Sequence, residues 1–112
     1  MDIPAFIQAF PALDLPFPDS VVTTSVIRSE AGLMVMFAFH EDFSLPEHHH
    51  KAQWGNVIEG QVELTINGQS RTYLPGESYS IPSGVPHAVT VTAGTKVIDI
   101  FEEPDRYPLR NA

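Results

Sequence analysis

The sequence predicts an all-β domain, a sandwich or closed barrel built from short antiparallel strands. Three observations carry that expectation. Ten prolines and seven glycines are scattered as single punctuation marks rather than gathered into a low-complexity block, which suits many short strands joined by tight turns. Runs rich in β-branched and aromatic residues recur at short, regular intervals from Val21 onward, as in sandwiches and barrels. No stretch shows a helical period of useful length.

Taken in order, residues 2–19 place Pro4, Pro11, Pro16 and Pro18 among Phe6, Ile7, Phe10, Leu13, Leu15 and Phe17. This segment is too proline-broken for a long helix and too apolar to lie free. An arm folded over its own barrel and an arm crossing to a partner subunit both satisfy it. Val21 to Ser29 and Leu33 to His40 form the first expected hairpin, around Glu30-Ala31-Gly32. The second of these strands is apolar at both parities and is expected to be buried on both faces. Trp54 to Glu59 is a third run. After Gly60-Gln61, the alternation in Val62 to Ile66 puts Val62, Leu64 and Ile66 on one face. Asn67-Gly68 is the strongest hairpin signal, because both central residues must take positive φ. Gln69 to Leu74 returns, Pro75-Gly76 suits a type II turn, and Tyr79 to Ile81 begins again. His87 to Thr92 and Thr95 to Phe101 close the set through Ala93-Gly94. The expected division is an arm over 1–20, a barrel over 21–102 and a tail over 103–112.

At 112 residues with 43% hydrophobic content, one core and one domain are expected. Cysteine is absent, which removes disulfides and thiolate ligands and leaves packing, with homodimer formation, to stabilise so small a barrel. The start, Met1-Asp2-Ile3-Pro4-Ala5-Phe6, lacks a basic segment followed by an apolar one, and no run nears the roughly 18 apolar residues of a membrane span. A cytoplasmic protein without a membrane partner is the expectation. Fourteen acidic against six basic residues give a net charge of −8, a balance that repels nucleic acid at long range. An anionic small molecule stays permitted, because a metal and one or two arginines reverse the potential locally.

The chemistry concentrates in two places. Glu47-His48-His49-His50 holds three of the five histidines. On a strand, side chains at i and i+2 share a face, so His48 and His50 can meet at one metal while His49 faces away. The second place is Pro82-Ser83-Gly84-Val85-Pro86-His87, where proline and glycine fix the entry of the strand that starts at His87. Taken alone, His87 reads more readily as a satisfied histidine at a strand mouth; taken with the first pair, it reads as a ligand. Two hairpins of chain separate the sites, a spacing that can bring His87 back beside the first pair.

These two segments resemble the cupin superfamily. Its first motif, Gly, then His-x-His, three or four residues, Glu, six residues and Gly, is approximated by His48-His49-His50-Lys51-Ala52-Gln53-Trp54 and ends at Gly60, without a glycine five residues before His48 and with only two residues between His50 and Gln53. Its second, Gly-x5-Pro-x-Gly-x2-His-x3-Asn, is matched by Gly76, Pro82, Gly84 and His87, with Val91 in the place of Asn. The resemblance covers about residues 30–101 and implies a single-domain jelly-roll β-barrel with a proline-rich N-terminal arm. It implies one divalent metal held by His48, His50 and His87, with Gln53 in the place of the usual glutamate. Three imidazoles and an amide oxygen suit Zn, Ni, Mn or Fe better than Ca or Mg, and leave the charge of the ion unneutralised.

A glutamine ligand and an Asp-x-Phe near the C-terminus further resemble the small cupins that linearise unsaturated uronates in pectin breakdown. That resemblance implies pocket roles for Asp99, Phe101 and Arg106: Asp99 and Arg106 in catalysis, Phe101 and Arg106 in substrate binding. Val97, Asp99 and Phe101 share a strand face, although a surface-facing Asp99 is also open. Trp54 and Tyr107 are read as packing residues, and Glu59, Glu63, Glu102 and Glu103 as solvated. The expected function is a metal-dependent enzyme of the isomerase or tautomerase type, acting on a small sugar acid or other carbonyl or carboxylate compound. A non-catalytic module that binds or senses a small molecule, a metal-dependent oxygenase and a metal-free structural barrel are the alternatives.

Overall fold

A computed structural model describes residues 2–110 as two antiparallel sheets closed into a jelly-roll barrel. The described strands are β1 (Val22–Ser29), β2 (Gly32–Phe39), β3 (Phe43–His48), β4 (Gln53–Glu59), β5 (Val62–Ile66), β6 (Gln69–Tyr73), β7 (Ser78–Ile81), β8 (His87–Val91) and β9 (Lys96–Phe101). One sheet runs β1-β2-β9-β4-β7 and the other β3-β8-β5-β6. The all-β, single-domain jelly-roll expected from the sequence is what forms.

Turn chemistry sets the register. Asn67 and Gly68 take φ of 51° and 75°, the paired positive values that a two-residue hairpin needs to match the strand twist. They align Val62 with Tyr73 and Ile66 with Gln69. With that register Val62 and Leu64 face the core and are buried, while Glu63 is exposed, since adjacent side chains on a strand point to opposite faces.

The inward rows stack as three layers. At one end His48, His87 and Ile66 lie side by side across β3, β8 and β5, opposite Leu33, Phe101, Gln53 and Ile81 of the other sheet. In the middle Leu45, Val89 and Leu64 oppose Val35, Asp99, Gly55 and Tyr79. At the far end Phe43, Val91, Val62 and Tyr73 oppose Phe37, Val97 and Val57. The polar groups thus gather toward one end of an otherwise apolar interior.

Two details depart from the sequence expectations, and the arm takes one of the two placements expected of it. β3 is a strand that the sequence left unassigned; it is an edge strand bonded only to β8, so Pro46 leaves no ladder bond missing on a second side. β2 is buried on both faces only in part: Leu33 and Val35 are fully buried inward, whereas the outer row runs from Met34 at 40% exposure through half-buried Met36 to Ala38 at 3%. The arm contains one helical turn, α1 (Ala5–Gln8), and then lies on its own barrel. Leu13 is buried, donates its N–H to Thr24 Oγ1 at 2.8 Å and bridges to Leu109 of the tail. Val26 N donates to Pro11 O at 2.9 Å and Arg110 N to Ala12 O at 2.7 Å. Arm and tail are therefore stitched to each other and to β1.

Candidate metal centre

His48 ends β3, His87 begins β8, and the two are directly paired across the ladder. The register shifts between Leu45 and His48, a bulge that re-aims the strand end. His50 lies beyond the strand end, so it reaches the site from a loop rather than by the i, i+2 rule applied to one strand. The ring centroids are 4.3 Å (His48–His87), 4.7 Å (His50–His87) and 5.3 Å (His48–His50) apart. One ligating nitrogen from each lies within 4.8 Å of the others. His49 is exposed, as expected.

The tautomers suit a cation. His48 Nδ1 donates to Pro46 O at 2.9 Å, His50 Nδ1 to Lys51 O at 2.6 Å and His87 Nδ1 to Val85 O at 2.9 Å. A carbonyl can only accept, so each Nδ1 carries a proton, which leaves Nε2 as the nitrogen able to ligate, the arrangement that orients metal-ligating imidazoles. Among the described residues the buried side-chain nitrogens without a partner are His50 Nε2, His87 Nε2 and Arg106 Nε. Burial holds the His50 and His87 pKa values below the ordinary 6.5, and the charge of Arg106 pushes the same way. Two unpartnered Nε2 atoms, of His50 and His87, with His48 in the same cluster, fit a divalent transition ion.

The loop that carries His50 is held from the residues that follow β9. Glu103 Oε1 accepts from Lys51 N at 2.7 Å and Glu102 Oε1 from Ala52 N at 3.1 Å, while Glu102 N donates back to Ala52 O at 2.9 Å. Gly84 N donates to His50 O at 2.8 Å. Glu102 and Glu103 thus anchor the loop that carries His50, a role beyond the solvated one expected of them, although Glu102 is exposed. Glu103→Ala should lower affinity for the ion about tenfold, within the range for loss of a group that orients a ligand. Titration of metal-stripped protein with Zn(II) or Mn(II) checks this, and unchanged affinity would remove the anchoring role.

The other sequence candidates line the same cavity of about 350 Å³: Gln53, Asp99, Phe101 and Arg106. Asp99 faces inward and is buried, which excludes a surface position. Burial raises its carboxyl pKa from 3.8 to about 6, against hydrogen bonds from Tyr79 and Gln53 that lower it. Tyr79 donates its hydroxyl to Asp99 Oδ1 at 2.6 Å; burial and then the Asp99 charge push the tyrosine well above 10. Gly55 makes room for the pair, since a Cβ there would overlap Asp99 Oδ1 and the Tyr79 ring. Phe101 packs against the His50 ring at 5.8 Å and the Tyr107 ring at 5.7 Å. The Arg106 guanidinium lies 4.3 Å over the Tyr107 ring. Tyr107 therefore borders the cavity, beyond the packing role expected of it, whereas Trp54 lies on the outer face at 43% exposure. Tyr79 was missed as a partner of Asp99. Its inward alternation with Ile81 was legible, but not the strand order that sets it across Gly55 from Asp99.

The cupin-domain family model Cupin_2 matches residues 33–101. The chain belongs to the cupin family. Among curated proteins, this cupin is 42% identical over 45 residues to the HTH-type transcriptional regulator PuuR of Escherichia coli (strain K12), a match covering 40% of the chain and 24% of the regulator. The chain spans about a quarter or less of the length of the curated relatives it matches. Among solved structures it is similar to an RmlC-like cupin from Shewanella frigidimarina NCIMB 400, with a TM-score of 0.75 and 20% identity over 95% of this chain and 94% of that one. It is similar also to KdgF from Halomonas sp., with a TM-score of 0.67 and 22% identity over 88% of each chain. Both likenesses establish the shared barrel.

Proposed function

We propose that this cupin is a mononuclear metal-dependent enzyme that moves a proton on a small carbonyl or carboxylate compound. The observation that carries the reading is a buried carboxylate, Asp99, lining the same cavity as the three-histidine cluster. His48, His50 and His87 would hold the ion, with Gln53 as a further ligand. A bound divalent ion supplies Lewis-acid polarisation of a substrate oxygen. Arg106, with a buried nitrogen lacking a partner, pairs with a substrate carboxylate, as a planar guanidinium does well. Asp99, positioned by the Tyr79 hydroxyl, takes or returns a proton at the carbon next to the carbonyl. Phe101 and Tyr107 wall the site and limit water. A uronate, as the sequence resemblance implies, is one member of this substrate class. The test is incubation of metal-loaded protein in D₂O with 2-oxo carboxylates and with uronates, following exchange at the carbon beside the carbonyl by NMR. Metal-dependent exchange supports the reading; binding without exchange transfers it to the second one.

That second reading is a small-molecule sensing module, and the 45-residue match to a transcriptional regulator favours it. In that case the cavity would capture its ligand without turnover.

We also propose a homodimer through the outer face of the five-stranded sheet. Ile27, Met34, Ile100 and Trp54 are cross-strand neighbours on β1, β2, β9 and β4, and they are 54%, 40%, 37% and 43% exposed. With strands about 4.8 Å apart this is an uncharged row roughly 15 Å long, on a chain whose net charge of −8 would make two copies repel elsewhere. A two-fold contact lets the row cover itself. Met34→Glu should shift the mass seen in sedimentation to that of the monomer, and a monomeric wild type at micromolar concentration would reject the proposal.

A further inference from the structure

Most of the residues that line the cavity lie beyond the histidines, and the wall changes character along the barrel. Polar lining residues gather at the histidine end, where Gln53 and Arg106 join His48, His50 and His87 and where Glu47, exposed next to His48, and Tyr107 also border the cavity. Asp99 and Tyr79 form the middle, already bonded to each other. At the far end the lining is apolar: Phe17, Phe37, Phe39, Phe43, Val62 and Val91. Phe101 and Val97 mark the two ends on β9, four residues and so about 13 Å apart. Phe39 and Phe43 are paired with Val22 and Val91, which are 3% exposed each, yet they are themselves only half-buried. Their rings border the cavity, with Phe43 in an edge contact to Phe17 at 4.8 Å and beside Phe39 at 5.3 Å. Apolar ring surface is left uncovered at the end remote from the metal.

We infer that the ligand of this cavity is an amphiphile, with a carboxylate or carbonyl head at the histidines and Arg106 and an apolar alkyl or aryl tail among Phe17, Phe39 and Phe43. The assignment of the head rests on the function proposed above; the tail rests on the wall alone. A cavity of about 350 Å³ has the volume of roughly a dozen waters at ~30 Å³ each, far more than a two- or three-carbon acid fills. A polyhydroxylated chain extended along the same path would set hydroxyls against valine and phenylalanine with nothing to accept their protons. Each such hydroxyl costs on the order of tenfold in affinity. An apolar tail instead gains for every methylene it removes from water. Phe17 comes from the N-terminal segment, so the arm supplies part of the specificity of the pocket as well as covering the barrel.

The experiment is calorimetric titration of metal-loaded and metal-stripped protein with pyruvate, 2-oxohexanoate, phenylpyruvate and galacturonate. Affinity is expected to rise by about tenfold or more from pyruvate to phenylpyruvate in both preparations, with galacturonate binding more weakly than phenylpyruvate. Phe17→Ser, which leaves every barrel strand intact, should reduce phenylpyruvate affinity about fivefold while pyruvate affinity and metal content hold. A flat series in both preparations, or tighter binding of galacturonate than of phenylpyruvate, overturns the inference. Equal affinities of loaded and stripped protein with the tail dependence intact would instead count against the metal-centred head and uphold the tail.

Discussion

Replacing His50 with Ala is expected to abolish stoichiometric metal binding and, with it, the thermal stabilisation that metal confers. The substitution removes one of three nitrogens that lie within 4.8 Å of one another and leaves His48 and His87, paired across β3 and β8, as a two-ligand remnant. Loss of an orienting group alone costs ten- to a hundredfold in affinity, so loss of a ligand should cost more than about a hundredfold. A ligand present at 100 times its Kd stabilises the folded state by about 2.7 kcal/mol, which for a domain of this size is roughly 10 °C in Tm. Wild type should gain that margin on addition of Zn(II), Ni(II) or Mn(II), and His50→Ala should gain almost none. His50 lies in a loop rather than in a strand, so the metal-free variant should melt near metal-free wild type. Equal metal content in both proteins would remove His50 from the ligand set.

The barrel was legible because its signals are local. Asn67-Gly68 and Pro75-Gly76 announce their turns by composition, and the alternation of Val62, Leu64 and Ile66 declares the inner face without knowledge of the partner strand. β3 was not legible, because Pro46 and Glu47 interrupt its pattern; an edge strand tolerates both, and being an edge is a property of the sheet, not of the segment. The histidines were found by the right residues through incomplete geometry. His48 and His87 meet by pairing across a ladder, and His50 joins from a loop held by Glu102 and Glu103. Those two glutamates carry no sequence signal of the role, because a carboxylate that accepts a backbone N–H looks like any solvated one. The outer face of β2 misled for a related reason: Met34 is apolar toward a part of that face that a single chain leaves exposed, while Ala38 on the same face is buried.

Asp99→Asn is expected to lower turnover by about a hundredfold or more with substrate affinity nearly unchanged, the pattern of a lost proton carrier rather than a lost contact. Asparagine has the shape of aspartate, its oxygen can still accept the Tyr79 hydroxyl now received at 2.6 Å, and its amide can face Gln53. The space beside Gly55 stays filled to the same extent, so cavity and metal cluster should persist. Stability should not fall either. Burial raises the Asp99 carboxyl to about 6 from 3.8, so in metal-free protein the neutral form is the one the fold favours. That contribution is present below about 3.8 and is lost as pH rises through about 6. At pH 7 the buried carboxylate therefore costs stability that the neutral amide does not, and metal-free Asp99→Asn should melt at or above the wild-type temperature. At pH 3, where both side chains are neutral, the difference should vanish. A variant that retains its metal, its substrate affinity and its melting temperature but has lost proton exchange at the carbon beside the carbonyl would place Asp99 as the acid-base group. Full exchange in the same variant would reject it and leave the cavity to binding alone.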